Sequence, residues 1–159
     1  MSEIARSSWA SQPWKNGRGV THEIVRWPAG EAYDVRVSLA DDTEPATFSL
    51  FPGYTRWSFL AAPAPISLVE THGPTVELLA LGDHLRTAGE TQLTSILPAG
   101  PTQLLNVLVR TALVDAAQVV VGYGPSAHPV RFSFSLATQH AAHHATPQRI
   151  DAHDCVWIA

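Results

Sequence analysis

Tyr33-Asp34-Val35-Arg36-Val37-Ser38-Leu39 alternates apolar and polar residues without a break. A strand turns successive side chains to opposite faces, so Tyr33, Val35, Val37 and Leu39 share one face and Asp34, Arg36 and Ser38 the other. Val130-Arg131-Phe132-Ser133-Phe134-Ser135-Leu136 repeats the pattern. Leu104-Leu105-Asn106-Val107-Leu108-Val109-Arg110 is nearly continuous in apolar residues, with Asn106 and Arg110 on one parity. Such a run marks a strand covered on both faces, one of which also carries polar groups. Turn signals recur about every ten residues around these segments, among them Trp27-Pro28-Ala29-Gly30, Pro52-Gly53, Leu81-Gly82-Asp83 and Gly122-Tyr123-Gly124-Pro125. Short strands at that spacing predict an all-β sandwich or barrel. Helical periodicity is weak. Thr111–Val121 ends too rich in valine to prefer helix, and Thr138–His144 reads as a short helical turn. Residues 1–159 are expected to form one all-β domain, most simply a barrel, because closure removes exposed sheet edges.

The 159 residues carry 14 acidic and 10 basic side chains, a net charge of −4, with 45% hydrophobic and 15% charged residues. That is enough apolar material for a core and excludes compositional disorder. Nine of the basic residues are Arg, spread from Arg6 to Arg149 without a basic run, and one is Lys15. A negative chain without a basic cluster is not expected to bind nucleic acid. The lone Cys155 excludes an intramolecular disulfide framework and a multi-cysteine metal site. No stretch approaches the roughly eighteen apolar residues that span a bilayer, and the first residues lack the apolar region of a secretory signal. The expected location is the cytoplasm, with no membrane partner.

Pro13-Trp14-Lys15-Asn16-Gly17-Arg18-Gly19-Val20-Thr21-His22-Glu23-Ile24 is the most distinctive segment. Its glycines allow tight backbone paths with positive φ. Lys15 offers a point charge with three donors, Asn16 a donor and an acceptor, and Glu23 an acceptor. Such a loop can fold over a barrel mouth and present Lys15 and Asn16 to a carboxylate or amide. It can equally be a cap in which Trp14 plugs the barrel end and the polar residues are solvated.

Trp14-Lys15-Asn16-Gly17-x-Gly19-x-Thr21-x-Glu23-Ile24 resembles the opening motif of the HutD/Ves family, cupin-like proteins associated with histidine utilisation. Arg36-x-Ser38-x-Ala40, Phe48-Ser49-x-Phe51-Pro52-Gly53-x-x-Arg56 and Asn106-Val107-x-x-Arg110 resemble later family elements in the same order. The resemblance covers about residues 9–115. Arg18 stands where the family has the middle Gly of a G-G-G run, and Leu108 where Met is usual. The resemblance implies a cupin-type, bicupin-like unit whose two β-barrel-like halves pack together. It also implies a non-catalytic or regulatory role in histidine catabolism, with a small intermediate such as formylglutamate as ligand.

Strand parity tests whether the motif residues can converge. Arg36 and Ser38 share a face, Arg56 shares one with Tyr54 and Ser58, and Asn106 shares one with Arg110. If these faces line one interior, Arg36, Arg56 and Arg110 would grip a carboxylate, with Ser38 and Asn106 orienting it. Buried Arg with few acidic partners is costly, and an anionic ligand relieves that cost. Alternatively, Arg36 and Arg56 pair with Glu23, Asp34 or Asp41, or stack on Trp and Tyr faces. With the resemblance, the expected ligand site is Lys15, Asn16, Glu23, Arg36, Ser38, Arg56 and Asn106, walled by Trp14, Phe51 and Trp57. Its expected partner is a small anionic metabolite.

No metal and no cofactor is expected. The H-x-H pair of metal-binding cupins is absent, and the one His cluster, His140, His143 and His144, lies outside the motif region. No G-x-S-x-G elbow occurs, and Cys155 beside His153 and Asp154 is not a triad, since strand neighbours face opposite ways. An enzymatic alternative is a metal-independent isomerase, epimerase or hydrolase of a small acidic metabolite, with Glu23 or His22 as acid–base group. A third reading is a purely structural barrel with solvated polar faces. Barrels of this class often dimerise through edge strands, so a homodimer is also an expectation.

Overall fold

In the computed structural model, which describes residues 1–159, all three alternating segments are strands. The chain runs β1 (Ser2–Ile4), a 3-10 turn at Arg6–Ser8, β2 (Ala10–Pro13), β3 (Gly19–Trp27), β4 (Val35–Asp42), β5 (Tyr54–Leu60), β6 (Ile66–Glu70) and β7 (Thr75–Leu78). It continues through β8 (His84–Ala88), β9 (Leu93–Ile96), β10 (Thr102–Arg110), the short helix α1 (Thr111–Asp115), β11 (Val121–Tyr123), β12 (Val130–Ser135), β13 (His140–Gln148) and β14 (Cys155–Ile158). Hydrogen bonding divides these strands among three sheets. The largest has the order β2-β3-β4-β10-β5-β8, the second β1-β13-β12-β14-β11, and the smallest β7-β6-β9. Every pairing is antiparallel.

The apolar face of the Tyr33–Leu39 stretch points at the five-stranded sheet. Val35, Val37 and Leu39 join Leu105, Val107 and Val109 of β10 and Trp57 and Phe59 of β5 in one buried cluster. Phe132, Phe134, Ala141, Val156 and Ile158 close it from the opposing sheet. The reverse face of the six-stranded sheet is covered over only part of its length. There Leu104 and Leu60 pack with Ile66, Leu68 and Leu78 of the three-stranded sheet. β10 therefore serves two cores, as its nearly continuous apolar run predicts. Closure comes from sheets packed face to face on either side of β10, not from one hydrogen-bonded barrel.

Two local expectations are corrected. The stretch after β10 does turn into a helix, but only over Thr111–Asp115. Its valine-rich tail behaves as β structure, with Val120 exchanging both backbone hydrogen bonds with Ala159 and Val121 opposite Ile158. Thr138–His144 is not a helical turn. The chain reverses at Leu136–Gln139 and His140 begins β13, because pairing with β12 and β1 on both sides outweighs the local helix preference of Ala and Gln.

At the end of β4 the fold tolerates a misplaced charge. Asp42 sits between Gly19 and Thr102 in the sheet, has no exposed surface, and neither carboxylate oxygen has a hydrogen-bond partner within the protein. Burial, with the neighbouring Asp41 charge second, pushes its carboxyl up to about 7. An unfolded Asp ionises near 3.8, so the folded state loses stability relative to the unfolded chain as pH rises from about 4 through 7. Asp42→Asn removes that loss. The gain in melting temperature over the wild type is expected to grow between pH 4 and 7 and level off above it, as thermal unfolding at stepped pH will show.

Candidate functional site

The uncovered part of the reverse face is a concave site built by strand register. Arg36 of β4 lies opposite Leu108 of β10, and Leu108 lies opposite Arg56 of β5. The next row is Ser38, Asn106 and Ser58. Adjacent strands are about 4.8 Å apart, which puts the Arg36 and Arg56 backbones about 10 Å apart with Leu108 between them. Two segments wall this floor. The β2–β3 hairpin supplies Trp14, Lys15, Asn16 and Thr21, and the chain before β5 supplies Thr47, Phe48, Ser49 and Phe51. The cavity they enclose has a volume of about 440 Å³.

The hairpin owes its shape to its glycines. Gly17 takes a φ of 72° at the turn, where its N–H donates to the Trp14 carbonyl at 3.0 Å. At Gly19 a β-carbon would lie 2.5 Å from the Asp41 carbonyl oxygen and 2.9 Å from the Trp14 ring, so the bare backbone lets the indole lie against it. The Trp14 Nε1–H then donates to Thr21 Oγ1 at 2.8 Å, and its ring meets Phe48 edge-on at 6.1 Å. Gly19→Ala must push the indole off the cavity wall. Its expected signature is a shift in tryptophan emission with the strand content seen by far-UV circular dichroism preserved.

Arg56 is the central group. Only 5% exposed, it donates through Nη2 to the Ser49 carbonyl at 2.8 Å, and its Nε–H has no partner within the protein. Its guanidinium carbon lies 5.0 Å from the Phe51 ring and 6.0 Å from the Phe48 ring. It has no carboxylate partner. Burial pushes its pKa down to about 10, which still leaves it charged at neutral pH. Arg36 differs, since its Nε donates to Glu23 Oε1 at 2.6 Å. Asn106 accepts at Oδ1 from Ser58 Oγ at 3.1 Å, which leaves its amide N–H groups uncommitted.

Of the seven residues named from sequence, Lys15, Asn16, Arg36, Ser38, Arg56 and Asn106 line this cavity and Glu23 does not. A bulge between Glu23 and Val25 keeps Glu23 and Arg26 on one face of β3. There the Glu23 carboxylate takes Arg26 at 2.6 and 3.0 Å as well as Arg36. Glu23 is a brace behind Arg36. Arg110, on the right parity, lies too far along β10. It pairs with Asp34 at 3.0 Å, donates to the Tyr33 carbonyl and covers the Tyr54 ring. Trp14 and Phe51 wall the cavity, whereas Trp57 faces the main core, with Arg86 over its ring. Thr47, Phe48 and Ser49 were not anticipated as lining, although the Phe48-Ser49-x-Phe51 spacing was visible.

No Asp, Glu, His or Cys lines the cavity. His22, the other acid–base candidate, is held between Asp41 at 2.7 Å and Ser11 at 2.6 Å. The three clustered histidines separate on β13. His140 lies 3.5 Å from Glu3, His143 lies against Trp27 and Phe132, and His144 is buried between Ser133 and Gln148. The Cys155 thiol is pushed up by burial and by Asp154, away from nucleophilic reactivity.

Burial works against the Glu23 carboxylate, but the hydrogen bonds and charges of Arg26 and Arg36 outweigh it and hold its pKa below the ordinary value of 4.5. The pairs therefore stabilise the fold above that value and lose their effect as pH falls through the lowered one. Glu23→Gln is expected to destabilise by on the order of 1 kcal/mol at pH 7. The deficit shrinks toward pH 3 in urea titrations.

The HutD family model matches residues 6–159. An uncharacterized 21.2 kDa protein in the hutC 3′ region of Pseudomonas putida is 32% identical over 108 residues, which are 66% of this chain and 56% of that protein. The chain thus spans about half the length of that curated relative. HutD from Pseudomonas fluorescens SBW25 shares the fold with a TM-score of 0.72 at 24% identity, covering 99% of this chain and 96% of that one. A conserved protein of unknown function from Pseudomonas aeruginosa PAO1 gives a TM-score of 0.73 at 18% identity, covering 98% and 94%. The cupin-fold protein KdgF from Halomonas sp. gives 0.54 at 9% identity, covering 69% and 94%.

Proposed function

The chain belongs to the HutD family, cupin-like proteins associated with histidine utilisation, and on that premise we propose that it binds a small anionic metabolite of the formylglutamate type. Its role in this reading is accessory or regulatory. The observation that carries it is Arg56, a buried cation without a carboxylate partner, with an unbonded Nε–H, beside a cavity that no acidic side chain lines. A charge withdrawn from water needs a compensating partner. A ligand carboxylate supplies one, accepting from Arg56 and from the guanidinium nitrogens of Arg36 not engaged by Glu23. The Asn106 amide and the Ser38 hydroxyl are the neutral groups of the same floor, and Lys15 adds a charge in the hairpin wall. A volume of about 440 Å³ suits a small metabolite. With no carboxylate or imidazole on the wall, acid–base turnover through Glu23 or His22 is disfavoured.

Calorimetric titration with formylglutamate, glutamate, urocanate and histidine tests the proposal. Binding of an acidic member of that set is expected. The absence of binding by all four to folded protein overturns it. Arg56→Met is expected to weaken binding at least about thirtyfold, since it removes a desolvated charge partner. The same change is expected to stabilise the free protein by on the order of 1 kcal/mol, since an apolar side chain replaces an uncompensated charge. Loss of affinity together with a raised urea midpoint separates a ligand role from a structural one.

A further inference from the structure

Beside the Arg56 cavity is a second hollow of about 410 Å³, lined by Asn16, Arg18, Pro45, Ala46, Thr47 and Thr94. Asn16 and Thr47 border both, so the two are contiguous. Four cations line the pair, Lys15, Arg36 and Arg56 on the first and Arg18 on the second, and of these Arg36 alone makes an ion pair. No acidic side chain lines either hollow.

Arg18 is a choice the fold does not impose. Within Gly17-Arg18-Gly19, the first position has positive φ and the third has no room for a β-carbon. The middle position is the one that accepts a side chain, and there this chain carries a guanidinium. That guanidinium is held in place. Its Nη1 donates to the Pro45 carbonyl at 2.6 Å. The backbone beneath is fixed too, since the Arg18 N–H donates to Asn16 Oδ1 at 3.0 Å and the Arg18 carbonyl accepts from Thr43 and Glu44. The Thr47 and Thr94 hydroxyls lie 3.2 Å apart on the same wall. A cation with spare N–H groups, an amide and two hydroxyls make a surface for an anion.

Resting on the ligand reading above, we infer that this hollow is an outer subsite. It takes the second carboxylate of a dicarboxylate whose first carboxylate is at Arg56, and Arg18 sets the preference for two charges over one. The probes are glutarate and pentanoate, of equal chain length and different charge, titrated into wild type, Arg18→Gln, Arg18→Lys and Arg56→Met. Gln keeps a donor for the Pro45 carbonyl and removes the charge, whereas Lys keeps the charge.

The wild type is expected to prefer glutarate. Arg18→Gln lowers glutarate affinity by roughly three- to fivefold, the scale of a solvent-exposed charge pair, and leaves pentanoate unchanged. Arg18→Lys keeps the preference. An unchanged glutarate-to-pentanoate ratio in Arg18→Gln overturns the subsite and leaves the inner carboxylate reading standing. Failure of both probes to bind the wild type, or pentanoate affinity indifferent to Arg56→Met, overturns both.

Discussion

The Arg56 guanidinium, held out of water without a carboxylate, is the constraint around which the rest of the site is arranged. A buried charge persists only where the surrounding structure compensates for lost hydration. Here the compensation is partial, with one carbonyl and two aromatic faces. The rings belong to the segment before β5, which is pinned from outside by Phe48 N–H to the Leu93 carbonyl and Phe51 N–H to the Gly89 carbonyl. Gly89 has no space for a β-carbon against Phe51, so even that turn serves the approach of the aromatic wall. Arg36, two strands away in the same row, shares its charge with Glu23. One guanidinium of the pair is thus neutralised and the other is not.

The same sheet separates stability from chemistry by face. Side chains of β4, β10 and β5 on one side meet the five-stranded sheet and exclude water. On the other side the three-stranded sheet stops at Leu60 and Leu104, and the polar rows begin beyond that point. A rigid floor follows, because each polar residue is carried by a strand whose opposite face is locked in a core. The irregular parts, the hairpin at Trp14–Gly19 and the segment at Thr47–Phe51, are confined to the walls.

Much of this was legible from alternation alone. Parity pairs Arg36 with Ser38 in Tyr33–Leu39 and Asn106 with Arg110 in Leu104–Arg110, and the register of β4 against β10 then brings Ser38 and Asn106 into one row. The same parity misassigned Arg110, because parity gives a direction and not a position along the strand. Only the register, which places Arg110 beside Tyr54 and the Ala32–Asp34 segment, shows that it lies past the cavity. Glu23 was misplaced for a related reason. The bulge at Ile24 is silent in a pattern of residue types, and it decides which cations the carboxylate meets. β13 was missed because its Ala, His and Gln favour no strand locally, and its pairing partners are distant in sequence. Asp42 gave no signal at all, since a carboxylate ending a strand reads as solvated.

β10 couples the core to the cavity mechanically. Leu105, Val107 and Val109 pack against the opposing sheet, while Asn106 and Leu108, on the other face of the strand, line the cavity. Both sets hang on one backbone, and a close-packed interior transmits strain rather than absorbing it. A change of volume at Val107, out of reach of any solute, therefore moves the floor on which Asn106 and Leu108 stand.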